Sequence, residues 1–117
     1  MEVVKQRIIQ ELVPGKQITL AHIIASPDPS LYKNLSSLEN GGNGQSIGIM
    51  TITPPETAII IADIGVKSAG VQLASLNVAS GSLMVTGTVS EVEAAINAIL
   101  NYVDERLGFE VCTLTKT

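Results

Sequence analysis

Residues 46–96 read SIGIMTITPPETAIIIADIGVKSAGVQLASLNVASGSLMVTGTVSEVEAAI, and their periodicities set the fold. SIGIMTIT is a β-strand apolar on both faces. TPPE follows at residues 53–56. Thr53 is placed as an N-cap, Pro54 as the first helical residue and Glu56 as the closing member of a capping box. The helix so opened runs from about Pro54 to Ser68 and is apolar nearly all round. Glu56, Asp63 and Lys67 form its polar stripe, and Asp63 and Lys67 stand four apart with the acid first, the better orientation for a helical ion pair. Gly70 is a helix stop. VQLASLNV and SLMVTG are two strands joined at ASG. Thr88 and Glu91 form a second capping box, opening a helix whose buried stripe is Val92, Ile96, Ile99, Leu100, Val103 and Leu107. Gly108 ends it, and FEVCTLT is the last strand. The order strand, helix, strand, strand, helix, strand is a split-βαβ pattern: an α+β (in the broad sense α/β), ferredoxin-like antiparallel sheet with both helices on one face.

Working outward, RIIQELVPGKQITLAHIIA reads as two extended runs joined by a turn at Pro14-Gly15. The second run, Gln17 to Ala25, puts Ile18, Leu20, His22 and Ile24 on one face and Thr19, Ala21, Ile23 and Ala25 on the other. SPDPS breaks it, Leu31, Leu35 and Leu38 place a short amphipathic helix over Ser30 to Leu38, and ENGGNGQ is a loop. In the first run both alternating faces, Ile8, Gln10, Leu12 and Ile9, Glu11, Val13, carry apolar residues. Such a strand is an aggregation hazard unless it is paired.

The 117 residues suit one domain. Charged residues are only 15% against 45% apolar, and Tyr32, Tyr102 and Phe109 are the aromatics. A chain with so little charge to cover its surface is expected to bury it against copies of itself. The net charge is −4 with no basic run, which argues against nucleic acid. No apolar stretch reaches the roughly 18–20 residues of a membrane span, and MEVVKQRIIQ has no apolar signal core, so a cytoplasmic protein is expected.

Catalytic chemistry is sparse. No phosphate loop, nucleotide fingerprint or metal-ligand cluster occurs, and no cofactor is implied. The single histidine, His22, lies in mid-strand, where a hydrogen-bonded structural role is the ordinary reading. The single cysteine, Cys112, makes no internal disulfide and reads as a buried inert thiol. Ser80 stands beside Gly81 without a nucleophile motif or basic partner, and GGNG precedes a strand rather than the helix N-terminus that holds an anion. The readings left are a non-catalytic structural protein and, by analogy of fold, a regulatory domain that binds a small molecule between subunits.

The 46–96 stretch resembles the core of bacterial microcompartment (BMC) shell domains, in the helix ending DIGVKSA, the strands about ASG and the helix opening TVSEVEAAI. The leading RIIQELVPGKQITLAHIIASP resembles the circularly permuted, EutS/PduU-type members, in which a strand and short helix found at the C-terminus of unpermuted domains come first. The resemblance implies two parts: an N-terminal strand, residues 1–15, and a permuted BMC domain, residues 16–117. It implies a flat homo-hexamer that tiles or co-assembles with other shell proteins around metabolic enzymes in the cytoplasm, those of ethanolamine, propanediol or choline breakdown being the candidates. The enclosed enzymes are then further candidate partners. The N-terminal strands, with Ile8, Gln10 and Leu12, would build a small β-barrel over the central pore. Lys67 matches the family's hexamer-edge lysine, with Asp63 holding its stem, and Val78, Ala79, Ser80 and Gly81 match the loop near the six-fold axis. Ala62, Gly65 and Ala69 would let neighbouring backbones approach. Unpermuted members carry an arginine where this chain has Ala25-Ser26-Pro27.

Overall fold

The computed structural model describes residues 15–34 and 45–117. Gly15 takes φ +89°, the left-handed region that glycine favours. The chain then forms β1 (Gln17–Ile24), α1 (Pro29–Asn34) and β2 (Ser46–Thr53). A 3₁₀ turn (Pro55–Thr57) leads into α2 (Ala58–Ser68), and β3 (Gln72–Asn77) and β4 (Ser82–Gly87) form a hairpin. Next come α3 (Val89–Tyr102), a π turn (Val103–Leu107) closed by Gly108 in the left-handed region, and β5 (Thr115–Lys116). Ile8, Gln10 and Leu12, with the rest of the expected N-terminal strand, lie outside the described residues. So do Leu35, Leu38 and all but the last residue of the ENGGNGQ loop.

The five strands lie in the order β3-β4-β2-β1-β5. β1–β2, β2–β4 and β3–β4 are antiparallel, but β1 and β5 run parallel, so the sheet is mixed and not the purely antiparallel one expected. The reason is β1, which lies between β2 and the C-terminal strand and turns the latter into its parallel partner. FEVCTLT is also less regular than its alternation suggested. Glu110 accepts from Ile18 N and donates to Lys16 O, and Thr117 is held the same way between Ile23 and Ala25. Between these two clamps only Thr115–Lys116 forms ladder. Val111, Cys112 and Leu114 lean instead into the core.

β1 departs from strict alternation. Its register against β2 slips between Ile18 and Leu20, a bulge. Ile18 therefore points to the core with Ala21 and Ile23, while Leu20 is exposed, although simple alternation puts Ile18 and Leu20 on one face. The Thr19 and Thr51 hydroxyls meet at 2.6 Å at the bulge.

One face of the sheet carries α2 and α3. Ile23, Met50, Ile52, Leu83 and Val85 from the strands meet Ile61, Val92, Ile96, Ile99 and Val103 from the helices. Gly48 makes the closest approach possible: a Cβ there would lie 2.6 Å from Val92 Cγ1. The other face is covered by α1, whose Tyr32 packs with Ile47 against Ile24, Ile49, Ala74 and Met84. The Tyr32 hydroxyl donates to the Gln45 carbonyl, and burial pushes that phenol up from its ordinary value of 10.0.

The two capping boxes part company. At Thr88 the hydroxyl accepts from Glu91 N at 3.1 Å and Glu91 Oε1 accepts from Thr88 N at 3.0 Å, as the sequence demands. At Thr53 no such box forms. Thr53 is still in β2, and Pro54 is extended (φ −68°, ψ 148°) because the ring of Pro55 behind it disfavours the helical region. The helix proper begins at Ala58, and Thr57 Oγ1 donates to Pro54 O at 2.5 Å.

Candidate functional site

The helix α2 presents two unlike faces. Inward it shows Ala58, Ile61, Ala62 and Gly65, all buried. A Cβ on Gly65 would lie 3.1 Å from Ile99 Cδ1 and 3.9 Å from the Ala95 Cβ. The small residues expected to let neighbouring subunits approach thus serve the packing of α2 on α3 within one chain. Ala69, just past the helix, is half-buried against the same core. With small side chains here the helix axes come close, and the two helices cover the sheet as a single layer.

Outward, Ile59, Asp63, Val66 and Lys67 follow at helical spacing, with Ile60 on the flank. Lys67 Nζ lies 3.0 Å from Asp63 Oδ2, and the two side chains keep 75% and 58% of their exposure. The predicted ion pair is therefore formed and largely exposed. Ile59, Ile60 and Val66 are exposed beside it. Ser68 closes the helix by donating to Ile64 O at 2.6 Å. Glu56, expected to cap the helix and lead the polar stripe, is an exposed residue of the 3₁₀ turn.

The second predicted surface is the turn between β3 and β4. Val78, Ala79 and Ser80 are exposed, whereas Gly81 is buried. Asn77 organises the turn: its side-chain oxygen accepts from Ser80 N at 3.1 Å and its carbonyl from Gly81 N at 2.8 Å. Gly81 in turn accepts from Ile52 N at 2.9 Å. Its φ is +76°, and a Cβ would lie 2.2 Å from the Ile52 carbonyl oxygen, so no other residue fits. Gly81 is the anchor of this loop, and the three residues before it are its free surface. Ser80 Oγ donates to Ser82 Oγ at 3.0 Å and has no basic partner there.

His22 is a tether. Its Nδ1 lies 2.6 Å from Thr115 Oγ1 and its Nε2 3.0 Å from Thr117 Oγ1, which ties β1 to the end of the chain. Nothing local in the sequence marks these partners, which lie 93 and 95 positions away. Cys112 is half-buried, and burial pushes its thiol up, away from the thiolate that reacts. Among the described residues no group of three or more His, Cys, Asp and Glu is placed to hold a metal, and no helix is long and apolar enough to cross a membrane.

The geometry thus offers surfaces for assembly, and comparison with known proteins agrees. The BMC domain model matches residues 46–114. The chain is 46% identical over 113 residues to the bacterial microcompartment shell protein EutS of Salmonella typhimurium (strain LT2), covering 97% of this chain and 98% of that one. It is 45% identical over 111 residues to the bacterial microcompartment shell protein CutR of Streptococcus intermedius, covering 95% and 92%. A solved structure of CutR as a flat hexamer superposes with a TM-score of 0.82 at 38% identity, over 94% of this chain and 99% of that one. The residues matched include both candidate surfaces, the α2 outer face and the β3–β4 turn. The chain belongs to the BMC-domain family of bacterial microcompartment shell proteins.

Proposed function

We propose that this chain is a non-catalytic tile: a homo-hexamer that packs edge to edge, alone or with other shell proteins, in the wall of a bacterial microcompartment in the cytoplasm. The observation that carries the reading is the outer face of α2, where an accessible Asp63–Lys67 pair stands among three exposed aliphatic side chains. A lone monomer has no use for such a face. The flat-hexamer form of a relative that matches nearly the whole chain supports the assembly state. In this reading Lys67 donates across the edge to the next hexamer. Asp63 holds the lysine stem, and the loop Val78, Ala79, Ser80 and Gly81 turns at the six-fold axis, the first three facing it and Gly81 anchoring them from beneath.

The match of the BMC model to residues 46–114 alone supports a circular permutation, because β1 precedes the matched region yet pairs with both β2 and the chain end. Residues 1–15 then form a separate module, one strand of a barrel over the axis, with Ile8, Gln10 and Leu12 in it. A closed barrel leaves no edge unpaired, which suits a strand with apolar residues on both faces.

Native mass spectrometry of the purified protein tests the tile: a hexamer is expected, and a stable folded monomer overturns the reading. Deletion of residues 1–13 tests the module. The truncated chain is expected to stay hexameric with an open axis by electron microscopy. Loss of the hexamer would make the strand part of the core.

A further inference from the structure

Two buried side-chain oxygens among the described residues have no hydrogen-bonding partner within the chain: Thr86 Oγ1 and Gln45 Oε1. Thr86 is fully buried, and Gln45 is half-buried with its oxygen shielded from solvent. The two lie on one face. Along β4, Leu83 and Val85 turn toward α2 and α3 while Met84 packs with Tyr32, so Thr86 belongs to the α1 side of the sheet. Thr86 stands opposite Ile47 in the β2–β4 ladder. Gln45 precedes Ile47 by two residues and by the same alternation shares its face. Thr86 and Gln45 are therefore diagonal neighbours, about 7–8 Å apart, and the long glutamine side chain shortens the gap.

The surroundings define what can satisfy them. Ile24, Ile47, Ala74 and Met84, with the Tyr32 ring, make this side of the sheet apolar. A group left unpaired in such a place weakens folding about tenfold or more. An amide oxygen only accepts, so Gln45 Oε1 needs a donor, whereas the Thr86 hydroxyl can donate or accept. A small neutral molecule with two donors and two acceptors meets both needs, and serves either orientation of the amide.

We infer that one buried water bridges Gln45 Oε1 and Thr86 Oγ1 beneath α1. Internal waters hold otherwise unsatisfied groups in this way. The water completes a polar seam. Tyr32 donates its hydroxyl to the Gln45 carbonyl, and Ser46 Oγ donates to Ala25 O at 2.7 Å. Both bonds tie the leading β1–α1 unit to the start of β2. The water fixes the side chain of Gln45 to β4, and so steadies the residue on which Tyr32 is hung. The inference is independent of the edge reading of α2.

A high-resolution crystal structure of the wild-type protein is expected to show one water within about 3.2 Å of both oxygens. Urea unfolding at a single protein concentration supplies the energetic test. Thr86→Val keeps the shape of threonine and removes the hydroxyl. With the bridge in place, the change strands the water and Gln45, and the unfolding constant should rise about tenfold. Gln45→Met should weaken the protein similarly. The double variant should cost clearly less than the sum of the two, because the water leaves with its second partner. Thr86→Ser retains the hydroxyl and should retain the water in its own crystal structure. If the hydroxyl is merely unpaired, Thr86→Val removes a buried polar group and is as stable as wild type or more so, which overturns the bridge. Strictly additive single effects overturn it as well. So does a crystal structure in which no water touches both oxygens, or in which a group from residues 35–44 is seated between them.

Discussion

The two faces of α2 lie on one eleven-residue helix and serve opposite ends. The inner face has residues small enough to disappear: Ala58, Ala62 and Gly65 bring α2 onto α3 around Ile61 and Ile99. The outer face keeps its large aliphatics and its only charges in water. The β3–β4 turn repeats the division on a smaller scale, with Gly81 locked beneath β2 and Val78, Ala79 and Ser80 free above it. A helix apolar all round is ordinarily a core helix. Here the inner face pairs one large residue, Ile61, with small ones that let the helix sit close, and among apolar residues the outer face carries only large aliphatics, where another molecule can cover them.

Substitutions on the inner side should cost folding and leave the assembly surface chemically intact. Gly81→Ala is expected to be the most damaging, by about 3 kcal/mol or more, because a methyl group meets a backbone carbonyl at a positive φ. Ile61→Ala empties a fully buried site and should cost about 3 kcal/mol. Gly65→Val overpacks the α2–α3 contact against Ile99 and should cost about 1–3 kcal/mol. Urea unfolding of each variant checks all three. An inner-face variant that keeps its stability and loses only assembly would erase the division between the faces.

On the outer side the order is reversed. Asp63→Ala removes an exposed helical pair and should cost at most a few tenths of a kcal/mol, while weakening hexamer association. The smallest effect concerns the far side of the sheet. Tyr32 donates its hydroxyl to a carbonyl and is held protonated by burial. Its phenol ionises first in the unfolded chain, near pH 10, so the contribution of Tyr32 to stability should be constant below that pH and fall above it until the folded phenol also ionises. Tyr32→Phe should reduce that slope in alkaline unfolding curves and leave the part that the buried Cys112 thiol contributes.

Much of this was legible in the sequence. The helix periodicities, the hairpin, the Asp63–Lys67 pair and the Thr88 cap are local patterns, and local patterns survive folding. The Thr53 cap failed because one residue outweighed the motif: Pro55 keeps Pro54 extended, and the helix starts four residues late. The bulge at Thr19 moved Ile18 across the sheet, because a single added residue reverses a period of two. The place of β1 between β2 and β5 was not legible at all, since pairing partners far apart in sequence leave no periodic trace. The roles of Ala62 and Gly65 were misread for the same reason: smallness shows that something comes close, not what.

The central claim is that the outer face of α2 holds hexamers together and contributes almost nothing to the chain itself. Lys67→Ala tests it most directly, measured beside wild type by native mass spectrometry and by negative-stain microscopy, alone and mixed with other shell proteins to allow for the missing arginine at Ala25-Ser26-Pro27. The account predicts an unchanged hexamer and a sharp loss of sheets, tubes or co-assembled shells. Lys67→Arg should restore them only in part, since the planar guanidinium needs more room than an ammonium. A Lys67→Ala hexamer that assembles as well as wild type would contradict the account and leave Lys67 an ordinary solvated lysine.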